Sequence, residues 1–332
     1  IMESDGEIRA IPGGRPTEDG DALVIATSGT SGRPKAVIHT AASIEAAAAA
    51  TSSALSVDPG TDRWLACLPL AHIGGLAVVM RSLVTGTPVE VHNGFDATAV
   101  IDAARRGATL TSMVTRALQQ VPAELFRTVL IGGAAPPPDR PANVIATYGM
   151  TETGSGVIYE ATPLEGLEIS VGSPDTRTGA PAAPSERQGE IHLRGPMLFR
   201  GYRSEPDPFD RHGWFATGDL GSWHPDGRLL VAGRRGDVIK TGGEMVWPEP
   251  VERLLLDRPD IDQVAVIGRP DPEWGHRVVA VIVAAPGHRK PDLDDIRSAV
   301  AARLPIWSAP KELEFVEDLP RTSLGKVRRN LL

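Results

Sequence analysis

Apolar positions along this chain fall into short runs separated by glycine, proline and small polar residues. The first run, Ala22-Leu-Val-Ile-Ala26, is rich in branched residues and reads as a buried strand. It breaks into nine residues that are almost all small, hydroxylated or glycine: Thr27-Ser28-Gly29-Thr30-Ser31-Gly32-Arg33-Pro34-Lys35. A helix is expected from Thr40 to about Leu55, with the Thr40 hydroxyl accepting a free first-turn N–H. Strands near Trp64–Leu68, Pro88–Val91, Thr109–Met113, Thr128–Ile131 and Asn143–Thr147 follow, with helices at Leu76–Val84 and Ala97–Arg106. Strands alternating with helices predict α/β layers and a mainly parallel sheet flanked by helices.

One connection breaks that rhythm. Residues 132–142 carry four prolines, at 136, 137, 138 and 141. A crossover between parallel strands needs about a dozen residues and is usually helical. Proline forbids a proper helix here, so a helix trimmed to a loop is expected. After Met150 the segments shorten (Leu167–Val171, Gly189–Arg194, Trp214–Thr217, Arg228–Ala232), with turn residues between them. This predicts a small antiparallel β subdomain or barrel over about 155–234. From about 235 an α+β pattern returns, with helices at Pro248–Leu256 and Leu293–Leu304 and strands at Gln263–Gly268, Arg277–Ala284 and Glu312–Val316. The expected division is a domain over 1–234 and a smaller C-terminal domain over 235–332.

Composition narrows the class. At 332 residues with 41% apolar and 23% charged content, the chain matches a soluble globular protein. The formal net charge of -8 and the lack of a dense basic run argue against nucleic-acid binding. The single cysteine, Cys67, excludes a disulfide framework and reads as a buried structural thiol. No signal peptide and no stretch long enough to span a bilayer is visible, so a cytoplasmic protein without membrane insertion is the expectation. The sequence is silent on oligomeric state, and a homodimer is compatible with it.

Several stretches carry candidate chemistry. The Thr27–Lys35 loop exposes backbone N–H groups and hydroxyls without side-chain bulk, and Lys35 adds a positive charge, which suits a polyphosphate. A flexible surface loop is the bland alternative. Its glycines are three apart and Pro34 precedes the lysine, so it is not the nucleotide loop G-x-x-x-x-G-K-[ST]. Tyr148-Gly-Met-Thr-Glu-Thr153 follows a predicted strand, where nucleotides bind in α/β sheets. Tyr148 can stack on a base and Glu152 can hold Mg²⁺, or the pair is a packed tyrosine and a solvated carboxylate. Asp219, in Thr217-Gly-Asp219, is a turn former or a bidentate acceptor for two ribose hydroxyls, with Arg234 as a nearby donor. His72 sits among apolar residues and glycines as a core histidine or a pocket wall. Arg81 is a solvated helix arginine or a counter-charge for a carboxylate substrate.

Taken together, and in order, Thr27–Lys35, Tyr148–Thr153, Thr217–Asp219, Gly233–Glu244 and Gly325-Lys326 resemble the adenylate-forming superfamily of acyl-CoA synthetases, adenylation domains and luciferases. Within it, Leu68-Pro-Leu-Ala-His-Ile-Gly-Gly-Leu76 with Met80-Arg-Ser82, and Thr147–Thr153 with Pro163-Leu-Glu-Gly-Leu167, look like the o-succinylbenzoate–CoA ligases of menaquinone synthesis, in the short form of actinobacteria. The resemblance implies two steps. A carboxylate attacks the α-phosphate of MgATP to give acyl-AMP and pyrophosphate, and the CoA thiol then attacks the acyl-AMP to give the thioester and AMP. It places Thr27, Ser28, Gly29, Thr30, Ser31, Gly32 and Lys35 on the β/γ-phosphates. Tyr148, Gly149 and the Gly133-Ala134-Ala135 backbone would hold adenine, and Asp219 and Arg234 the ribose. Thr151 would contact phosphate and Glu152 the metal. His72, Gly75, Met150 and Arg81 would line the acid site. Lys326 would bridge carboxylate and α-phosphate oxygens. The C-terminal domain is implied to be a mobile lid, turning about Gly236 and delivering the Gly242-Gly243 loop for the CoA step.

The chain departs from the superfamily in three ways. Gly236 stands where Asp or Lys is usual, the 136–141 connection is shortened, and only about twenty residues precede the first strand. Two other readings stay open. One keeps adenylation but changes the acid or the acceptor to a carrier protein. The other is a degenerate nucleotide-binding regulator.

Overall fold

The computed structural model describes residues 17–27, 35–133, 136–137, 139–321 and 327–332. The chain opens with strands β1 (Asp21–Thr27) and β2 (Lys35–Thr40), then helix α1 (Ala41–Ala54). The α1 start matches expectation: the Thr40 hydroxyl accepts from the Ser43 N–H at 3.1 Å, and the Ser43 hydroxyl accepts from the Thr40 N–H at 3.1 Å. This reciprocal cap satisfies two otherwise orphaned donors. Strand β2 was not expected. It pairs antiparallel with β1, with Thr27 opposite Lys35, so the chain comes back beside β1 before α1 begins. The gap is too short for a parallel crossover. β1 is correspondingly half-buried, not the fully buried strand its composition suggests.

Next come β3 (Trp64–Ala66), α2 (Ile73–Thr85), β4 (Val89–Val91), α3 (Ala97–Arg105), β5 (Leu110–Met113), α4 (Thr115–Leu118), β6 (Thr128–Ile131), β7 (Val144–Met150), β8 (Ser155–Tyr159) and β9 (Thr162–Pro163). They form a seven-stranded sheet in the order β4-β3-β5-β6-β7-β8-β9. The pairs from β4 to β7 are parallel and the last two are antiparallel. Side-chain alternation along each strand splits the core. Trp64, Ala66, Leu110 and Leu130 pack with Ala47 and Ala50 of α1 and Val78 of α2. Leu65, Cys67, Val129 and Ile131 pack with Val100 and Ala103 of α3. Cys67 is fully buried, and burial pushes its thiol up. The described part of the 132–143 connection carries no helix. The Asn143 side chain instead donates to the carbonyls of Ala123 and Phe126 at 2.8 and 2.9 Å, tying down the return.

β8 and β9 belong to the large sheet, so the antiparallel subdomain begins later than 155. Its members are β10 (Glu168–Val171), β11 (Gly189–Arg194), β13 (Phe215–Trp223) and β14 (Leu229–Arg234), in the order β10-β11-β13-β14; the short β12 (Gly201–Tyr202) joins β2. β8 turns back at once because Thr153 and Gly154 close a tight turn, with Gly154 left-handed at φ 70°. A Cβ on Gly149 would lie 2.1 Å from the Ser155 carbonyl oxygen, so only glycine permits the β7–β8 approach.

The remainder comprises β15 (Ile239–Thr241), β16 (Glu244–Val246), α5 (Pro248–Leu256), β17 (Ile261–Asp271), β18 (Gly275–Ala284), α6 (Leu293–Ala301) and β19 (Glu312–Phe315). β17 and β18 are long partners in a five-stranded sheet. Val264, Val266, Ala280 and Ile282 pack with Val251 and Leu255 of α5 and with Ile296 and Val300 of α6. Ala265, Ile267, Val279 and Val281 face Leu319 on the other side. The buried clusters on either side of 229–239 share no residue.

Candidate active site

Parallel strands deliver their C-terminal ends to one edge of a sheet, where α/β folds place ligands. Here that edge carries His72 after β3, Gly133 after β6 and the Thr151–Thr153 turn after β7. Two polar chains meet at the β7 end.

The first joins Tyr148 to Asp219 and Arg234. The Tyr148 hydroxyl donates to one Asp219 oxygen at 2.7 Å, and Arg234 Nε reaches the other at 2.9 Å. Arg234 also donates to the Thr217 carbonyl at 2.9 Å. The pairing follows from register, because β13 and β14 set Asp219 opposite Arg234. Burial, and then the Asp219 charge, push the Tyr148 hydroxyl well above its ordinary value, so it stays a donor. Each carboxylate oxygen still has a lone pair for a further hydroxyl.

The second joins Lys35 to Glu152 through Tyr202. The Tyr202 hydroxyl donates to Glu152 Oε1 at 2.8 Å, while Lys35 Nζ stands 4.3 Å from the centre of its ring. Lys35 also pairs with Glu205 at 2.9 Å. Burial and the Glu152 charge hold the Tyr202 hydroxyl protonated. The Phe199 N–H donates to the Glu152 carbonyl at 2.8 Å, and β12 pairs with β2, which brings Tyr202 between the loop end and the turn. His39, fully buried on β2, contacts the Thr151 carbonyl through Nε2 at 2.7 Å and the Ser43 hydroxyl through Nδ1 at 3.2 Å. Burial pushes its pKa down. Among the described residues no group of three His, Cys, Asp or Glu could hold a metal. A single carboxylate suits Mg²⁺, which keeps several waters and takes phosphate oxygens alongside one or two carboxylates.

Arg81 departs from the solvated alternative. It is 4% exposed, its Nη1 has no hydrogen-bond partner among the described residues, and Trp64 lies beneath it at 5.4 Å. With His39, Ile73, Ala77 and Met80 it lines a cavity of about 20 Å³, room for a single water. His72 and Gly75 do not line this cavity. His72 is the N-cap residue of α2. A Cβ on Gly75 would lie 2.4 Å from the Leu68 carbonyl oxygen, so its glycine is demanded by helix packing. Met150 packs against the core beside the site.

The hinge candidate Gly236 is exposed in a short 3₁₀ turn, with nothing within 4 Å of where a Cβ would sit. Arg235 pairs with Glu190 at 3.0 Å on one side and Asp237 with Arg329 at 3.2 Å on the other. Gly242 and Gly243 form the left-handed turn between β15 and β16, at φ 59° and 87°. Ser28 to Pro34, Ala134, Ala135 and Lys326 lie outside the described residues.

His39, Tyr202 and Glu205 were not legible as site residues. His39 follows two apolar residues in a plain strand, and Gly201-Tyr-Arg203 carries no spacing that marks chemistry; only the β12–β2 pairing brings Tyr202 to the site, and only the fold brings His39 to Thr151.

Residues 4–203 match the AMP-binding enzyme family and residues 250–326 the AMP-binding enzyme C-terminal domain. The chain is 39% identical to a probable 2-succinylbenzoate–CoA ligase of Mycobacterium tuberculosis, over 96% of this chain and 85% of that protein. It is 36% identical to the 2-succinylbenzoate–CoA ligase of Geobacillus kaustophilus, over 94% and 68%. Its fold superposes on the o-succinylbenzoate CoA synthetase of Bacillus subtilis in complex with the acyl-adenylate intermediate, with a TM-score of 0.84 and 31% identity, covering 94% of this chain and 69% of that one. An amide bond synthetase from Marinactinospora thermotolerans gives a TM-score of 0.82 at 28% identity. The chain therefore belongs to the AMP-binding enzyme family.

Proposed function

We propose that this protein is an AMP-forming acid–CoA ligase acting on o-succinylbenzoate in menaquinone synthesis. The observation that carries the reading is the β7 end, where Tyr148 and Glu152 hold hydrogen bonds to Asp219 and Tyr202 respectively. One strand end thereby joins a sugar-type carboxylate to the lysine that closes the glycine–threonine loop. In the first half-reaction a carboxylate oxygen of the acid attacks the α-phosphorus of ATP, the bond to the β-phosphate breaks, and pyrophosphate leaves. Tyr148 flanks the base, and Asp219, aimed by Arg234 and Tyr148, accepts from the ribose hydroxyls. The Thr27–Lys35 loop and Thr151 hold the phosphates. Tyr202 holds one Glu152 oxygen, leaving the second for Mg²⁺, which when bound offsets phosphate charge. Lys326 neutralises the two anions that must meet.

In the second half-reaction the CoA sulfur attacks the acyl carbon and AMP leaves. Residues 235–332 act as a lid that turns at Gly236, where glycine absorbs the backbone change, and the Gly242-Gly243 turn faces the thiol. Arg81 is the counter-charge for the aromatic carboxylate of o-succinylbenzoate. The cavity beside it holds only about one water, so Met80, a flexible thioether, gives way when the acid enters. ATP and CoA are the co-substrates, and the cytoplasm, which supplies both, is the compartment.

The likeness to an amide bond synthetase favours a second reading, adenylation with an acceptor other than CoA. Acid-dependent exchange of pyrophosphate into ATP, measured across carboxylic acids, tests the first step; no exchange with any acid would end the enzyme reading. CoA-dependent release of AMP separates the two acceptors. Lys326→Ala is expected to abolish exchange yet spare thioester formation from supplied acyl-adenylate.

A further inference from the structure

His39 touches none of the groups expected to contact substrate phosphates or metal through its own side chain, yet it supports the backbone that carries them. Its Nε2 is 2.7 Å from the Thr151 carbonyl oxygen and its Nδ1 is 3.2 Å from the Ser43 hydroxyl. A carbonyl only accepts, so Nε2 carries the proton and donates. Ser43 is fixed in turn by the reciprocal cap with Thr40 at the start of α1. The imidazole thus spans from the β2–α1 junction, which follows the glycine–threonine loop, to the turn that carries Thr151 and Glu152. Gly154 closes that turn against the same ring, since a Cβ there would lie 3.5 Å from His39 Cε1. The residue is fully buried, and removing the ring takes away the shorter of the two hydrogen bonds that the Thr151 carbonyl accepts, the other coming from the Gly154 N–H at 3.1 Å.

We propose that His39 is a positioning residue that sets the Thr151–Glu152 turn for the phosphate–Mg²⁺ pair through a hydrogen bond from Nε2 to the Thr151 carbonyl. The proposal rests on the reading of Thr151 and Glu152 given above. A merely structural histidine would weaken the fold and all ligands alike. A positioning histidine weakens chiefly the ligand that needs Glu152 in place.

Two amide substitutions separate the ring nitrogens. The glutamine amide in His39→Gln reaches the place of Nε2 and keeps the donor to Thr151. The asparagine amide in His39→Asn reaches only the place of Nδ1 and keeps the Ser43 contact. The readouts are the dissociation constant of ATP by calorimetry, with Mg²⁺ and in EDTA, and kcat and KM of acid-dependent pyrophosphate exchange. His39→Asn is expected to weaken MgATP and lower kcat by about tenfold to a hundredfold, the equivalent of one buried hydrogen bond. Its ATP affinity in EDTA stays as in the wild type, and His39→Gln returns both losses to within a few-fold. Equal behaviour of the two folded variants, or equal loss of ATP affinity with and without Mg²⁺, overturns the proposal, as does failure of both to fold. An inactive wild-type chain that binds MgATP, with the variants ranked as above, would sink the ligase reading while leaving His39 its place.

Discussion

Arg81→Met separates two consequences of one buried charge. The guanidinium is 4% exposed, and among the described residues its Nη1 has no hydrogen-bond partner. Burial also lowers its affinity for the proton. The Trp64 ring at 5.4 Å offsets part of this, by about 0.5–2 kcal/mol. Against it stands the desolvation of an ion with no acidic partner among the described residues, several kcal/mol even after relaxation. Methionine fills a similar volume without the charge, so the ligand-free variant is expected to be as stable as the parent or up to about 4 kcal/mol more stable. The bound state moves the other way. A buried aromatic carboxylate that loses its guanidinium forfeits about 3–5 kcal/mol, a rise in KM for o-succinylbenzoate of roughly a hundredfold to several thousandfold. The assay is urea unfolding of the ligand-free protein beside pyrophosphate exchange on two acids. One is o-succinylbenzoate, and the other is 4-oxo-4-phenylbutanoate, which lacks the aromatic carboxylate. Activity on the second acid stays unchanged. A variant that unfolds more easily and loses both acids equally would refute the reasoning, because Arg81 would then be a structural group with its anion inside the fold.

Three further outcomes follow from the same geometry. Tyr148→Phe removes the donor to Asp219 and leaves Arg234 in place, so KM for ATP rises about tenfold, as one charge-assisted hydrogen bond predicts, while KM for the acid holds; initial-rate kinetics in both substrates decide it. Asp62 is buried, which alone would raise its pKa, but hydrogen bonds from Arg127, the Asp58 N–H and Thr109 outweigh burial and hold it low. Its depressed folded pKa means the stabilisation is present above the unfolded value of about 3.9 and is lost as pH falls through the folded value; Asp62→Asn should flatten that acid limb in unfolding followed against pH and weaken the fold at neutral pH by about 1.5–3 kcal/mol. Gly149→Ala places a Cβ 2.1 Å from the Ser155 carbonyl oxygen. The β7–β8 pair must then part, and amide exchange across Tyr148–Ser155 should speed up while that of β17 and β18 stays as it was.

Much of the architecture was legible from short-range pattern. The α1 cap at Thr40, the β3–α2–β4–α3–β5 alternation and the lack of a helix among the described residues of 132–143 follow from periodicity, capping chemistry and proline, which act over a few residues. Strand β2 escaped notice because Lys35–Thr40 has only Val37 and Ile38 as branched apolar residues, between lysine, histidine and threonine, and it makes sense only against β1. The same limit misplaced Ser155–Tyr159, whose apolar run fits either sheet until the Gly149 contact chooses one. The ordered motifs pointed to Tyr148, Glu152, Asp219 and Arg234 as one group, since each stands within three residues of a glycine, although Asp219 proves to lie in the middle of a strand.

What the linear order determined here is therefore the set of elements and the residue types able to handle a nucleotide and a carboxylate. Only the tertiary structure decided which of them touch. Tyr202 reaches Glu152 from fifty residues away, His39 reaches Thr151 across 112, and Arg81 sits under cover instead of in solvent. Hydrogen bonds and burial depend on distance in space, and distance in space is set by strand pairing and layer packing, which local patterns do not encode.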